Sequence, residues 1–177
     1  MHRSRTANLL GAAAQGLNDH IRAGLSEAAR LSDSASATLI LLSDSGGIGA
    51  SELGRRLGLT QSAAVRMVEG LERDGLLQRG PKAGRNVAIT LTARGRDLAQ
   101  DLREARGRSL DAIVNTLAPE ELEQLEDLLM KLLPRLHHQP GDADRLCRLC
   151  DRQACIEGDV ICPVGQAERD CRADSRG

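Results

Sequence analysis

Cys147-Arg148-Leu149-Cys150 places two thiols three positions apart, and Cys155, Cys162 and Cys171 follow with four, six and eight residues between successive cysteines. A C-x2-C pair presents two thiolates from one tight turn, and two further cysteines nearby complete a tetrahedral four-sulfur set of the kind that binds zinc. Cys147, Cys150, Cys155 and Cys162 are therefore the candidate metal ligands, and the distant Cys171 is left over. Zinc is the first assignment. Four thiolates also suit an iron–sulfur cluster, in which Cys-Pro, here Cys162-Pro163, is common at the last ligand. Arg148 and Arg152 would favour thiolates and with them a disulfide switch. His137 and His138 are further candidates, although histidines at a helix C-terminus more often meet only its dipole. The tail has few sizeable hydrophobes, from Leu146 and Leu149 to Ile161 and Val164, so a metal would offset the missing core.

A second concentration of chemistry is basic. The net charge of the 177 residues is −1, yet residues 55–108 carry 12 Arg and Lys against 6 Asp and Glu, whereas residues 119–177 carry 8 against 13. The middle of the chain thus suits a polyanion and the end does not. Phe, Tyr and Trp are absent, which excludes an aromatic stacking platform for single-stranded nucleic acid. The core must be aliphatic, and 28 leucines can supply it. No window approaches the 18 or more apolar residues of a membrane span, and Asn8, Gln15, Asn18 and Asp19 interrupt any signal-peptide core. The chain is read as cytoplasmic with no membrane partner, so its cysteines are metal ligands or redox thiols rather than disulfides.

The elements that must position these groups are mostly helical. Leu10, Ala13, Leu17, Ile21, Leu25 and Ala28 mark a long amphipathic helix over 9–31, and Leu39-Ile40-Leu41-Leu42 a short apolar one ended by Ser45-Gly46-Gly47. A third helix runs from Ser51 to a stop at Gly58. A fourth is capped by the Thr60 hydroxyl, turns Val65, Val68 and Leu71 inward and stops at Gly75. Leu76–Arg79 and Val87–Leu91 read as strands joined by a basic loop with Gly80, Pro81 and Gly84, a hairpin with a flexible tip. A long helix follows from Thr92 with its stripe reaching Leu117. Another opens at Pro119 and carries Leu122, Leu125, Leu129, Leu132 and Leu136, with a kink or end at Pro134. His137 to Asp142 reads as a linker.

Two helices joined at a glycine and followed by a basic hairpin make a winged helix-turn-helix, whose second helix fits the major groove. From Ser51-Glu52-Leu53-Gly54-Arg55-Arg56-Leu57-Gly58-Leu59-Thr60-Gln61-Ser62, through Arg66-Met67-Val68-Glu69-Gly70-Leu71-Glu72-Arg73-Asp74-Gly75-Leu76-Leu77, to Ile89-Thr90-Leu91-Thr92-Ala93-Arg94-Gly95, the chain resembles the MarR family of bacterial transcription regulators. The resemblance covers about residues 6–138 and leaves the cysteine tail outside. It implies a homodimer held by the first and last two helices, with one winged domain per half-site of a palindromic operator. It also implies that Gln61, Ser62, Ala63 and Arg66 meet base edges and that Arg85 at the wing tip enters the minor groove. Short side chains let the helix approach, and Gln and Arg read adenine and guanine bidentately. Arg79, Lys82 and Arg94 are candidate phosphate contacts. The wing departs from the family in carrying a single arginine in Pro81-Lys82-Ala83-Gly84-Arg85, and position 65, often Ser or Thr, is Val65.

The expected architecture is mainly α with a small β-hairpin wing on a helical dimerisation stem. Residues 1–34 form the N-terminal dimerisation helix, 35–95 the winged domain, 96–138 the C-terminal dimerisation helices and 139–177 the cysteine-rich tail. The expected function is that of a non-enzymatic repressor of double-stranded DNA, adjusted by a metal, by redox state or by a small-molecule effector. Following the stem directly, the tail would act on the spacing of the two winged domains. The alternatives are a thiol-disulfide redox protein using Cys147 and Cys150, for which no βαβ pattern is present, and an adaptor whose tail docks on another protein.

Overall fold

The computed structural model describes residues 3–83 and 86–175. The chain runs α1 (Arg3–Ala28), α2 (Asp33–Ser43), α3 (Ala50–Leu57), α4 (Gln61–Arg73), β1 (Leu77–Ala83), β2 (Asn86–Leu91), α5 (Ala93–Val114) and α6 (Pro119–Leu132). A 3-10 turn (Leu133–Leu136) leads to α7 (Asp142–Leu146), a second 3-10 segment (Ala154–Asp159) and α8 (Pro163–Asp174). The mainly helical fold with a two-stranded wing follows the sequence reading. No helix among the described residues is long and apolar enough to cross a membrane.

The core gathers on α2. Ser32 caps that helix by accepting from the Ala35 amide at 3.3 Å, and Ala35, Ala37, Leu39, Ile40 and Leu42 are all buried. A helix apolar on nearly every side must be surrounded. Around it lie Leu25 of α1, Leu53 of α3, Val68 and Leu71 of α4, Ile89 and Leu91 of β2, and Leu102 of α5. At about 25 cal/mol per Å² of apolar surface, these aliphatic side chains are the chief stabilisation of this unit. α1 starts at Arg3, six residues before the stripe predicts, because its first turns are exposed and need no apolar periodicity. α5 ends at Val114, three residues short of Leu117, where the Asn115 amide returns to Asp111 O.

The hairpin pairs Leu77 with Leu91, Gln78 with Thr90 and Arg79 with Ile89, then shifts so that Lys82 faces Val87. The shift falls at Gly80-Pro81, where proline supplies no amide to the ladder. β2 also takes a one-residue partner on its other side, Ile48, which exchanges hydrogen bonds with Ile89 at 2.9 and 3.3 Å. The sequence reading lacked this strand.

The largest departure is after Leu136. Asp142, read as part of a linker, is buried and accepts from the His138 amide at 2.9 Å and the Gln139 amide at 3.1 Å. Glu168 of α8 accepts from the Gly141 amide at 2.9 Å and from Arg172 Nε at 2.6 Å. The segment is a fixed turn, and it carries the tail back onto the winged domain: α7 packs on α3, Arg55 meets Asp144 at 3.2 Å, and Leu149 joins the rim of the apolar core. This docking gives the tail contacts with the winged domain that the sequence reading did not anticipate.

Candidate functional site

Two surfaces carry the chemistry. The first is the start of α4. Gly58 closes α3 at φ +67°, a left-handed conformation that glycine adopts without penalty, and lets the chain turn into the next helix. Gly54 sets the crossing, since a Cβ there would lie 3.0 Å from that of Ala64. Thr60 then caps α4 by accepting from the Ala63 amide at 3.3 Å and contacts the Ser62 hydroxyl at 3.3 Å. With Ala64, Val68 and Leu71 buried, Gln61, Ser62 and Arg66 are exposed on the opposite face and Ala63 is half-buried. Arg66 has no ion-pair partner among the described residues. One helix therefore offers a short hydroxyl, an amide and a guanidinium in two turns, anchored from behind by the core.

The three phosphate candidates differ. Arg79 faces Glu72 at 3.0 Å, tying β1 to α4, so a phosphate would have to displace that carboxylate. Arg94 donates from Nη1 to Asp74 O at 2.8 Å and closes the C-terminal end of α4. Both residues hold α4 in place. Lys82 lies on β1 opposite Val87. Arg85 lies outside the described residues. Beneath the site, Glu52 takes hydrogen bonds from Arg55 and Arg56 at 2.8 Å, which hold its carboxyl down at about 2.

The second surface is the tail. Cys147, Cys150, Cys155 and Cys162 line one cavity of about 390 Å³, walled on the winged-domain side by Ile40 and Leu41. All five cysteines are free thiols, and Cys171 is not among the lining residues. The neighbouring Cys147 thiol pulls Cys150 down to about 6 with help from Arg106, while Cys147 is pushed up by Cys150 and by burial. Burial raises Cys155. Arg106 Nη2 of α5 approaches Cys150 Sγ at 3.9 Å, and the Gly165 amide donates to Cys162 Sγ at 3.5 Å. Among the described residues no three His, Cys, Asp or Glu are grouped as a single bound ion would require.

His137, a candidate ligand, instead turns its side chain, 2% exposed, against Glu168, with Nε2 at 2.7 Å from the carboxylate. Burial alone would raise Glu168, but hydrogen bonds from His137, Arg172 and the Gly141 and Ala143 amides outweigh it and hold the carboxyl at about 2. His138 is exposed. Sequence reasoning missed Glu168 and Arg106 because their partners lie 27 to 44 residues away and no local pattern marks them.

Residues 31–84 match the model of the MarR family. Among solved structures, RV1404 from Mycobacterium tuberculosis is 27% identical with a TM-score of 0.67, the match covering 75% of this chain and 92% of that one. A MarR family protein from Bacillus stearothermophilus is 26% identical with a TM-score of 0.65, covering 75% and 96%. The Mycobacterium tuberculosis MarR family protein Rv2887, in a structure with DNA, is 27% identical with a TM-score of 0.59, covering 71% and 95%. No curated protein matches the chain.

Proposed function

We propose, from the match of residues 31–84 to the MarR family model, that the chain is a transcriptional repressor that binds palindromic duplex DNA as a homodimer, with the cysteine tail adjusting the affinity. The observation that carries the reading is the exposed Gln61, Ser62 and Arg66 on a capped helix whose other face is core. Arginine and glutamine on such a helix have the donor geometry of the major groove, and the solved complex of Rv2887 with DNA supports the same use here. Lys82 on β1 adds a phosphate contact, and Arg85 is assigned the minor groove by the family resemblance.

The dimer rests on faces the single chain leaves open. No residue of α6 is buried, and Leu128, Leu129, Leu132 and Leu136 are exposed, as are Leu9 and Leu10 on α1. A second copy covers these stripes and sets two α4 helices about one helical turn of DNA apart.

Selection from random duplexes tests the reading. The expected product is a two-half palindrome bound by a dimer, with affinity falling steeply as salt rises. Leu125→Glu with Leu129→Glu should abolish dimer and operator binding together. No retention of DNA at physiological salt, or a monomer that still binds the full palindrome tightly, would sink it.

A further inference from the structure

We propose that Cys147, Cys150, Cys155 and Cys162 hold an iron–sulfur cluster between the tail and the winged domain, with Arg106 of α5 as a positioning residue for the Cys150 ligand. This assignment deepens the reading of the tail as an adjusting element, but it stands apart from DNA binding and is read without DNA.

The first argument is size. A zinc ion with Zn–S bonds of about 2.3 Å draws four sulfurs to about 3.8 Å from one another. Here the four cysteines line one cavity of about 390 Å³, far more room than one ion fills. A cluster interposes its own iron and sulfide between the thiolates, so it suits a wider ring.

The second argument is the wall. Ile40 and Leu41 of the core close one side, and Ile156, Val160 and Ile161 form a half-open rim. The charged lining is Arg56, Arg148, Arg152 and Arg169 against Asp44 and Asp144, and those two carboxylates are already paired with Arg103 and Arg55. A pocket of apolar wall and excess positive charge compensates four thiolates.

The third argument is donors. Hydrogen bonds to cluster sulfurs set stability and potential. The Gly165 amide already points at Cys162 Sγ at 3.5 Å, and Cys162 precedes the proline that opens α8. Arg106 reaches Cys150 Sγ from a different domain, and its Nε is buried with no hydrogen-bond partner among the described residues. The Nη2 contact sets a positive charge beside Cys150, where it would offset the negative charge of a thiolate-bound cluster.

The test is iron, zinc and acid-labile sulfide on the full chain isolated without oxygen, with a visible absorption spectrum. The expected result is iron and sulfide in equal amounts, about two or about four of each per chain. Cys150→Ser should lose most of the iron and Cys171→Ser should keep it. Since Cys150→Ser could unfold the tail, Arg106→Gln supplies the second readout: iron retained, midpoint potential lowered, and Arg106→Lys restoring most of the shift. One zinc per chain without sulfide, no metal, or iron indifferent to Cys150 would overturn the cluster. An unmoved potential in Arg106→Gln would overturn the role of Arg106. Failure of DNA binding would leave all of these outcomes unchanged.

Discussion

Leu39, Leu53 and Val68 of the winged domain, with Leu102 of α5 packed on them, have essentially no solvent exposure, whereas beyond Leu136 the buried described residues are Val164 and Asp142. The winged domain is organised by apolar burial, which is non-directional and tolerates distant partners only as a collective. The tail is organised by directional contacts: Glu168 with four donors, Asp142 with two amides, Asp144 with Arg55, and the cysteine ring. A unit of the first kind is stable alone. One of the second kind depends on what it docks against and on what fills it.

The sharpest way to break this contrast is to open a cavity in each unit. Leu53→Ala in the winged domain should cost about 2–5 kcal/mol by chemical denaturation, because a fully buried leucine loses both its transfer energy and its contacts. DNA binding should fall with it. Val164→Ala in the tail should cost well under half as much, measured the same way. Equal losses at the two sites would show that the tail has a core of its own.

Glu168→Gln is the complementary cut. The amide keeps a similar shape but gives up charge-assisted acceptance from His137, Arg172 and the Gly141 amide, at about 1.5–3 kcal/mol. Amide exchange should speed up at Gly141 and Ala143 while the winged-domain helices keep their protection. If the whole chain loosens together, the two units are one cooperative block.

Arg66→Ala tests what the apolar unit exists to present. It should cost about 1–3 kcal/mol of operator affinity and relax base preference, whereas Lys82→Ala should weaken all sequences alike. Both should leave the stability of the fold and the metal content unchanged. Matching losses on specific and random duplexes for Arg66→Ala would reduce it to a phosphate contact.

The contrast also explains what the sequence could tell. Thr60, Gly58 and Gly75 announce the helix ends within a turn of where they act, and Val68 and Leu71 are buried as their spacing predicts, so the winged domain was legible from local signals. Val65, expected inward, is only half-buried, and Ala64 takes the core position beside it. Ile48 was not, because a strand of one residue between Gly47 and Gly49 has no periodicity and exists only through Ile89. The cysteine spacing was legible as a ligand set. Its docking was not, since Arg106 and Cys150 are 44 residues apart and Asp144 meets Arg55 across 89. The polar turn at 137–142 looked like a linker for the same reason: its acceptor, Glu168, comes from a later helix.

Acid provides the finest discrimination, because each unit holds one carboxyl at about 2, Glu52 through Arg55 and Arg56, and Glu168 through the donors around it despite its burial. A carboxylate depressed from its ordinary 4.5 stabilises the fold in full above that value, and the contribution drains away as pH falls towards 2. The two should nevertheless differ in consequence. Glu52 is half-exposed and ties α3 to itself across one turn, an arrangement worth little. Glu168 is mostly buried and joins α8 to the turn at 137–143, so protonating it releases one segment from another. Between about pH 4.5 and about 2 the amide shifts of Gly141 and Ala143 should move towards open-chain values while those of Leu53 and Val68 hold. Simultaneous movement at all four positions, or none at Gly141, would mean that the tail is not held by this carboxylate.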